Sequence, residues 1–235
     1  MKVSDLKGYG LAVSDLEGNW SPEFKRRIKK ISQKIIMEHL TGFDKLLLMY
    51  YYIIEKQKAR RLDLTDIQVK GMTNKLFVQQ QLNYICMFSA LSKVLSTNQT
   101  LEIMYKVMDA TAGEAMYQNT PTIDEIKSFG DTMTTFQKYF EPLPEASRRA
   151  GCHQLAITEK TEKTFKIDIT YCAWLELAKK MDIPEACLPN CYADDYAYPQ
   201  YYSQLGIKYS RTGTLAQGCK NCSLKFERIE QLDFE

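Results

Sequence analysis

Residues 153–172 read HQLAITEKTEKTFKIDITYC, and the fold turns on how this stretch is parsed. His153, Leu155 and Ile157 alternate with other side chains, and so do Phe165, Ile167 and Ile169. Period-two alternation sends one set of side chains to one face of a strand. Glu159 to Lys163 lies between the two runs, so the spacing predicts a hairpin. Downstream, the pattern predicts a helix from about Tyr171 to Met181 and another from about Asn190. Ile207, Tyr209 and Arg211 then alternate, as do Cys222, Leu224 and Phe226, with Thr212 to Asn221 as the connecting loop. Two hairpins around a helical pair predict an antiparallel sheet with helices on one face.

Upstream, the periodicity changes to that of helices. Ser21-Pro22 has the form of a helix start. Phe24, Ile28, Ile31 and Ile35 follow on one helical face, with Lys25, Arg26, Arg27, Lys29 and Lys30 mostly off it. A helix is predicted from about Asp44 to Arg60. Thr65 and Gln68 form a capping-box pattern before a long helix to about Leu95. Leu101, Met104 and Met108 mark another helix. Thr122 and Glu125 form a second capping box, ahead of a stripe of Ile123, Ile126, Met133, Phe136 and Phe140. Glu141-Pro142-Leu143-Pro144 is expected to end the helical part. The expected class is therefore α+β, with a helical region at 1–145 and a sheet-and-helix core at 146–235.

The chain has 235 residues, 45% hydrophobic and 26% charged, with a net charge of +2. That is the composition of a globular protein with a sizeable core. The charge gives no electrostatic case for nucleic acid, and the basic run at 25–30 reads as a solvated helix face. The longest apolar run, LLLMYYYII at 46–54, is shorter than the ~20 residues of a membrane span and is expected to be a buried helix. The N-terminus lacks the apolar block of an export signal, so a cytosolic location is expected. A homo-oligomer through the helical half is one option.

Six of the seven cysteines lie after residue 150. Without an export signal they are expected to be thiols. Cys219 and Cys222 have the spacing of half a zinc site, to which Cys172, Cys187, Cys191 or His153 could contribute. No second Cys-x-x-Cys completes it.

Three pieces carry a family resemblance: FKIDITYC at 165–172, CYAD at 191–194, and RTGTLAQGCKNCSLKFER at 211–228. They resemble the L-2-amino-thiazoline-4-carboxylic acid hydrolase family. The shared features are a cysteine ending a strand, a Cys-x-x-Asp about twenty residues later, an Arg-Thr pair, and an ending of Gly218, Cys222, Leu224 and Phe226. Cys219 departs from the pattern expected there. The resemblance implies hydrolysis of a small cyclic amidine to a carbamoyl-cysteine, with no organic cofactor.

The residues themselves fit such chemistry. Thr170 is expected to cap the helix after the first hairpin, with Cys172 in its first turn, and Asn190 to cap the next, with Cys191 at its first position. A helix N-terminus favours thiolate. Asp194 lies three residues after Cys191 and shares its helical face. A thiol or bound water beside a carboxylate can pair nucleophile with base. The catalytic candidates are Cys172, Cys191, Asp194, Cys222 and His153, and which cysteine attacks stays open. His153 has the competing reading of a hydrogen-bonded core histidine, and His39 reads as structural. Arg211, in the apolar register of its strand, needs a partner. A substrate carboxylate or Asp194 and Asp195 would both serve. Thr214 and Tyr198 join Arg211 as candidate substrate contacts. A binding module without turnover is the remaining alternative, since no complete catalytic signature is present.

Overall fold

The structure, a computed structural model, describes residues 2–229. The helical region begins with α1 (Val13–Gly18) and α2 (Pro22–Glu38). Ser21 caps α2 by accepting from the Phe24 amide at 3.1 Å, and Pro22 occupies the first turn, where its missing N–H costs nothing. α3 (Gly42–Ala59) follows, with a reciprocal cap between Thr41 and Asp44.

The apolar run at 46–54 lies within α3, but it is not a buried helix. Leu48 is buried, whereas Leu46, Met49, Tyr50 and Ile53 are 56–67% exposed. The helix packs against the next long helix through one side only, and that side includes Leu48, Glu55 and Ala59. An unbroken run of apolar residues necessarily covers both faces of a helix.

Thr65 does not cap a long helix. Asp63 accepts from the Thr65 amide at 2.9 Å, and α4 (Thr65–Val69) ends after little more than a turn. Gly71 then adopts φ +99°, a conformation closed to most side chains. The long helix α5 (Lys75–Val94) restarts under a new cap, Asn74, which accepts from Phe77 at 3.1 Å. α6 (Thr97–Asn119) is capped reciprocally by Ser96 and Gln99.

The Thr122–Glu125 box forms as expected, but α7 (Ile123–Lys127) stops short. Gly130 turns the chain, and Asp131 caps α8 (Thr132–Phe140). Nor do Pro142 and Pro144 end the helical part. They sit in the opening turn of α9 (Leu143–Ala150), so the expected division near residue 145 falls inside a helix.

The sheet consists of β1 (His153–Lys160), β2 (Thr164–Cys172), β3 (Ile207–Arg211) and β4 (Cys222–Arg228). It is antiparallel throughout, in the order β1-β2-β4-β3. α10 (Ala173–Lys180) and α11 (Leu188–Tyr202) connect the two hairpins. One face of the sheet packs on α8 and α11. There Phe136 meets Phe140, Phe165, Tyr202 and Phe226 at centroid distances of 4.8–5.5 Å. Such ring pairs add about 0.5–1.5 kcal/mol each to area burial. The other face carries Lys166, Asp168, Lys225 and Glu227, among them the Lys166–Asp168 and Lys225–Glu227 pairs. At the edge, Arg228 grips Asp131 with two guanidinium nitrogens, at 2.7 and 3.0 Å.

The helical region and the sheet region share one body of contacts. α11 lies along α6, where Tyr192 donates to Asp109 at 2.6 Å and Tyr201 to the Pro121 carbonyl at 2.7 Å. The turn at Gly71 also touches the start of β1. A Cβ on Gly151 (φ +66°) would fall on the backbone of Gly71 and Met72. No helix among the described residues is long and apolar enough to cross a membrane.

Candidate active site

The first residue of β1 and the last of β2 are paired across the ladder, His153 opposite Cys172. The hairpin read from residues 153–172 therefore closes on a histidine and a thiol. Cys172 is also the N-cap residue of α10, not a first-turn residue. Thr170 is still in β2, where its hydroxyl donates to the Gln154 carbonyl at 3.3 Å rather than capping a helix.

The Cys172 thiol is held well below its ordinary pKa. A hydrogen bond from the Cys187 thiol is the largest cause, and it outweighs burial together with the His153 imidazolium and the Leu175 amide at the start of α10. Cys187 is correspondingly pushed well up and stays a donor, to Cys172 and to Cys191. Burial would depress His153, but its hydrogen bonds to Cys152 and Cys172 prevail and raise it to about 10. The imidazole ring is also stacked on Trp174, 4.7 Å between centroids. Cys172 and His153 thus each favour the other's charged form, an acidified thiol against a more basic imidazole. Cys152 shares the same imidazolium, but it has no accessible surface. Cys172 keeps some, and a nucleophile must be reachable.

Two carboxylates interact with these groups. Glu17, from α1, is raised to about 8 by burial first and by Asp194 second. Asp194, from α11, is raised to about 6 by burial, which outweighs the Arg211 guanidinium. Tyr198 donates to Asp194. Glu17, His153, Cys172, Asp194 and Tyr198 all retain accessible surface, yet loss of water is the largest influence on four of them. Water is thus largely withdrawn from around these side chains, and charges there interact strongly. Two surface clefts of about 300 and 430 Å³ lie elsewhere, beside Arg61 and Lys180 and beside Met72 and Val78, and contain none of these residues.

Arg211 is already engaged. Its guanidinium binds Asp194 at 3.3 Å, Asp195 at 2.5 Å and the Cys191 carbonyl. Its side chain is 4% exposed, so of the two readings of this arginine the protein-internal pairing is the one observed. Thr214 is buried and caps a short 3-10 turn; its hydroxyl accepts from the Gln217 amide and donates to the Gln217 side-chain oxygen, each at 3.2 Å. Cys191 lies in the first turn of α11 rather than at its first position, and Cys187, not Asn190, is the N-cap residue. Cys222 is raised to about 11 by burial, despite the Leu215 amide 3.2 Å from its sulfur, and is a protonated thiol at neutral pH. Cys219 is exposed while Cys222 is buried. Among the described residues no group of three or more His, Cys, Asp or Glu is arranged to hold a metal ion. His39 bonds the Ile35 carbonyl at 2.8 Å through one ring nitrogen and meets Lys106 at 3.0 Å through the other.

A family model described as L-2-amino-thiazoline-4-carboxylic acid hydrolase matches residues 76–226. The chain belongs to the L-2-amino-thiazoline-4-carboxylic acid hydrolase family. The description indicates a hydrolase of that compound. No curated protein and no solved structure matches the chain. The stretch matched to the hydrolase family contains His153, Cys172, Cys187, Asp194 and Arg211, and Glu17 precedes it. Glu17 is the residue that sequence reading missed. An acid near the start of the chain looks solvated, and only the packing of α1 against α5 and α9 brings it inside. Cys187 was legible only as a metal-ligand candidate, because its hydrogen bond to Cys172 arises from the fold.

Proposed function

We propose that this chain is a cysteine hydrolase that opens the ring of a 2-amino-thiazoline-4-carboxylate or a closely related cyclic amidine, with Cys172 as nucleophile. The observation that carries the reading is the cross-strand pair of accessible Cys172 and His153, with the thiol pKa lowered by Cys187 and His153. An acidic thiol beside an imidazolium is the usual form of an activated cysteine.

The ring carbon between sulfur and nitrogen is the electrophile. Asp194, ionised above about 6, holds the amidine cation. The Cys172 thiolate adds to that carbon and the carbon–sulfur bond of the ring breaks. The departing sulfur takes the His153 proton and becomes a free thiol. Water then adds to the same carbon, activated by the now neutral His153. One of its protons returns to His153 as Cys172 leaves, and the other is released to solvent, because the amidinium already carries the hydrogens of both product nitrogens. The product is a carbamoyl group on the amino nitrogen of cysteine. Neutral Glu17 is a hydrogen-bond donor toward the substrate carboxylate. Arg211 is a positioning residue that holds Asp194 and Asp195.

Thiol release from 2-amino-thiazoline-4-carboxylate measures the reaction directly. Cys172→Ser is expected to lower the rate about 10³-fold, while Cys222→Ser keeps most of it. Undiminished turnover by Cys172→Ser would overturn the assignment.

A further inference from the structure

Among the described residues nothing packs on the outward face of α3. Phe43, Leu46, Met49, Tyr50 and Ile53 are 69, 67, 64, 60 and 56% exposed. Helical spacing puts all five on one side of α3, opposite Leu48 and Glu55, which are buried against α5. Together they leave about 600 Å² of side-chain surface in water, scaled from the ~150–250 Å² of an aromatic side chain. The largest apolar patch of an ordinary monomer is about 300–600 Å². A stable interface takes about 800 Å² from each side, of which the five side chains alone supply the larger part.

The spacing indicates what covers it. Phe43, Leu46, Tyr50 and Ile53 are separated by three, four and three residues, an order that is the same from either end. A two-fold interface requires one patch to complement itself. No charged residue interrupts the stripe.

We propose that α3 is the homodimer interface, in which two copies pack antiparallel about an axis level with Leu48. Phe43 then lies against Ile53 of the partner subunit, and Leu46 against Tyr50 of the partner subunit. Antiparallel helices also oppose their dipoles favourably.

Sedimentation velocity of the full chain at micromolar concentration tests this, with circular dichroism as the check on folding. The wild type is expected to sediment at twice the chain mass. Phe43→Lys and Ile53→Glu, both at exposed positions, are each expected to weaken self-association about tenfold or more. Mixing the two variants is expected to restore a dimer, because Lys at 43 then faces Glu at 53. Val69→Glu, at an exposed position on α4, is expected to leave the dimer intact. A monomeric wild type overturns the proposal, as does a dimer that survives both variants or a mixture that fails to recover. A wild type that is monomeric in solution but pellets with anionic phospholipid vesicles overturns it in favour of a membrane surface.

Discussion

The imidazole of His153 lies flat on the indole of Trp174, with 14° between the ring planes. A cation over an indole face gains about 0.5–1 kcal/mol, and more when water is excluded. The stack therefore favours the imidazolium, and through it the Cys172 thiolate. Trp174 is held in turn by Phe77, edge-on at 4.6 Å.

Trp174→Leu should remove this support and keep an apolar filler. The His153 pKa is expected to fall from about 10 by about half a unit to one unit, since one unit corresponds to ~1.4 kcal/mol. The pH profile of Cys172 alkylation by iodoacetamide reads the change, and a profile identical to wild type would sink the role given to the indole. A stability loss of about 2 kcal/mol accompanies it as a packing cost.

Glu17 has a raised pKa in the folded chain, about 8 against an ordinary 4.5. Its contribution to stability is fully present below pH 4.5 and is lost as pH rises through about 8. Glu17→Gln should therefore gain stability relative to wild type between pH 5 and 9, measured by thermal melting. Activity should follow the same group. Ionised Glu17 sets a second negative charge beside Asp194 and repels a carboxylate substrate, so wild-type kcat/KM should fall above pH 8. The Gln variant should lack that limb. If the limb persists in Glu17→Gln, another group titrates there.

Much of this site was legible in the sequence, and the reason lies in particular residues. Alternation along 153–172 and 207–226 fixed the strands because period two leaves little ambiguity once turns bound it. The same stretch contained His153 and Cys172, but nothing local stated that they would face one another. That follows from register, which shifts at the irregularities after Gln154 and Ile157. The helix break at Gly71 was obscured by Thr65 and Gln68, which satisfy a capping pattern without forming it. The hydrophobic run in α3 suggested burial because composition carries no information about which face has a neighbour. Glu17 was invisible because its environment is assembled by helices distant in sequence.

Arg211 divides its guanidinium between Asp194 and Asp195. Arg211→Leu should leave both carboxylates without their counter-charge. Breaking a buried pair costs about 3–5 kcal/mol, and partial exposure of both acids, at 38 and 48%, reduces this to about 2 kcal/mol. Asp194 should then rise above about 6, and the acid limb of kcat/KM should move to higher pH by at least half a unit. An unmoved acid limb in Arg211→Leu would remove Asp194 from the role of amidine holder. Arg211→Lys retains the charge and should show a smaller displacement.

Gly151 and Gly71 meet main chain to main chain two residues before His153. The spacing there is set by bare backbone, with no side chain whose size could be traded for another. Selection can change the surroundings of His153 and Cys172 from α1, α10 or α11, but it has no graded adjustment at the entry to β1. Diversification of substrate in a chain built this way must come from the helices, while the hairpin bearing the thiol and imidazole is inherited as a fixed unit.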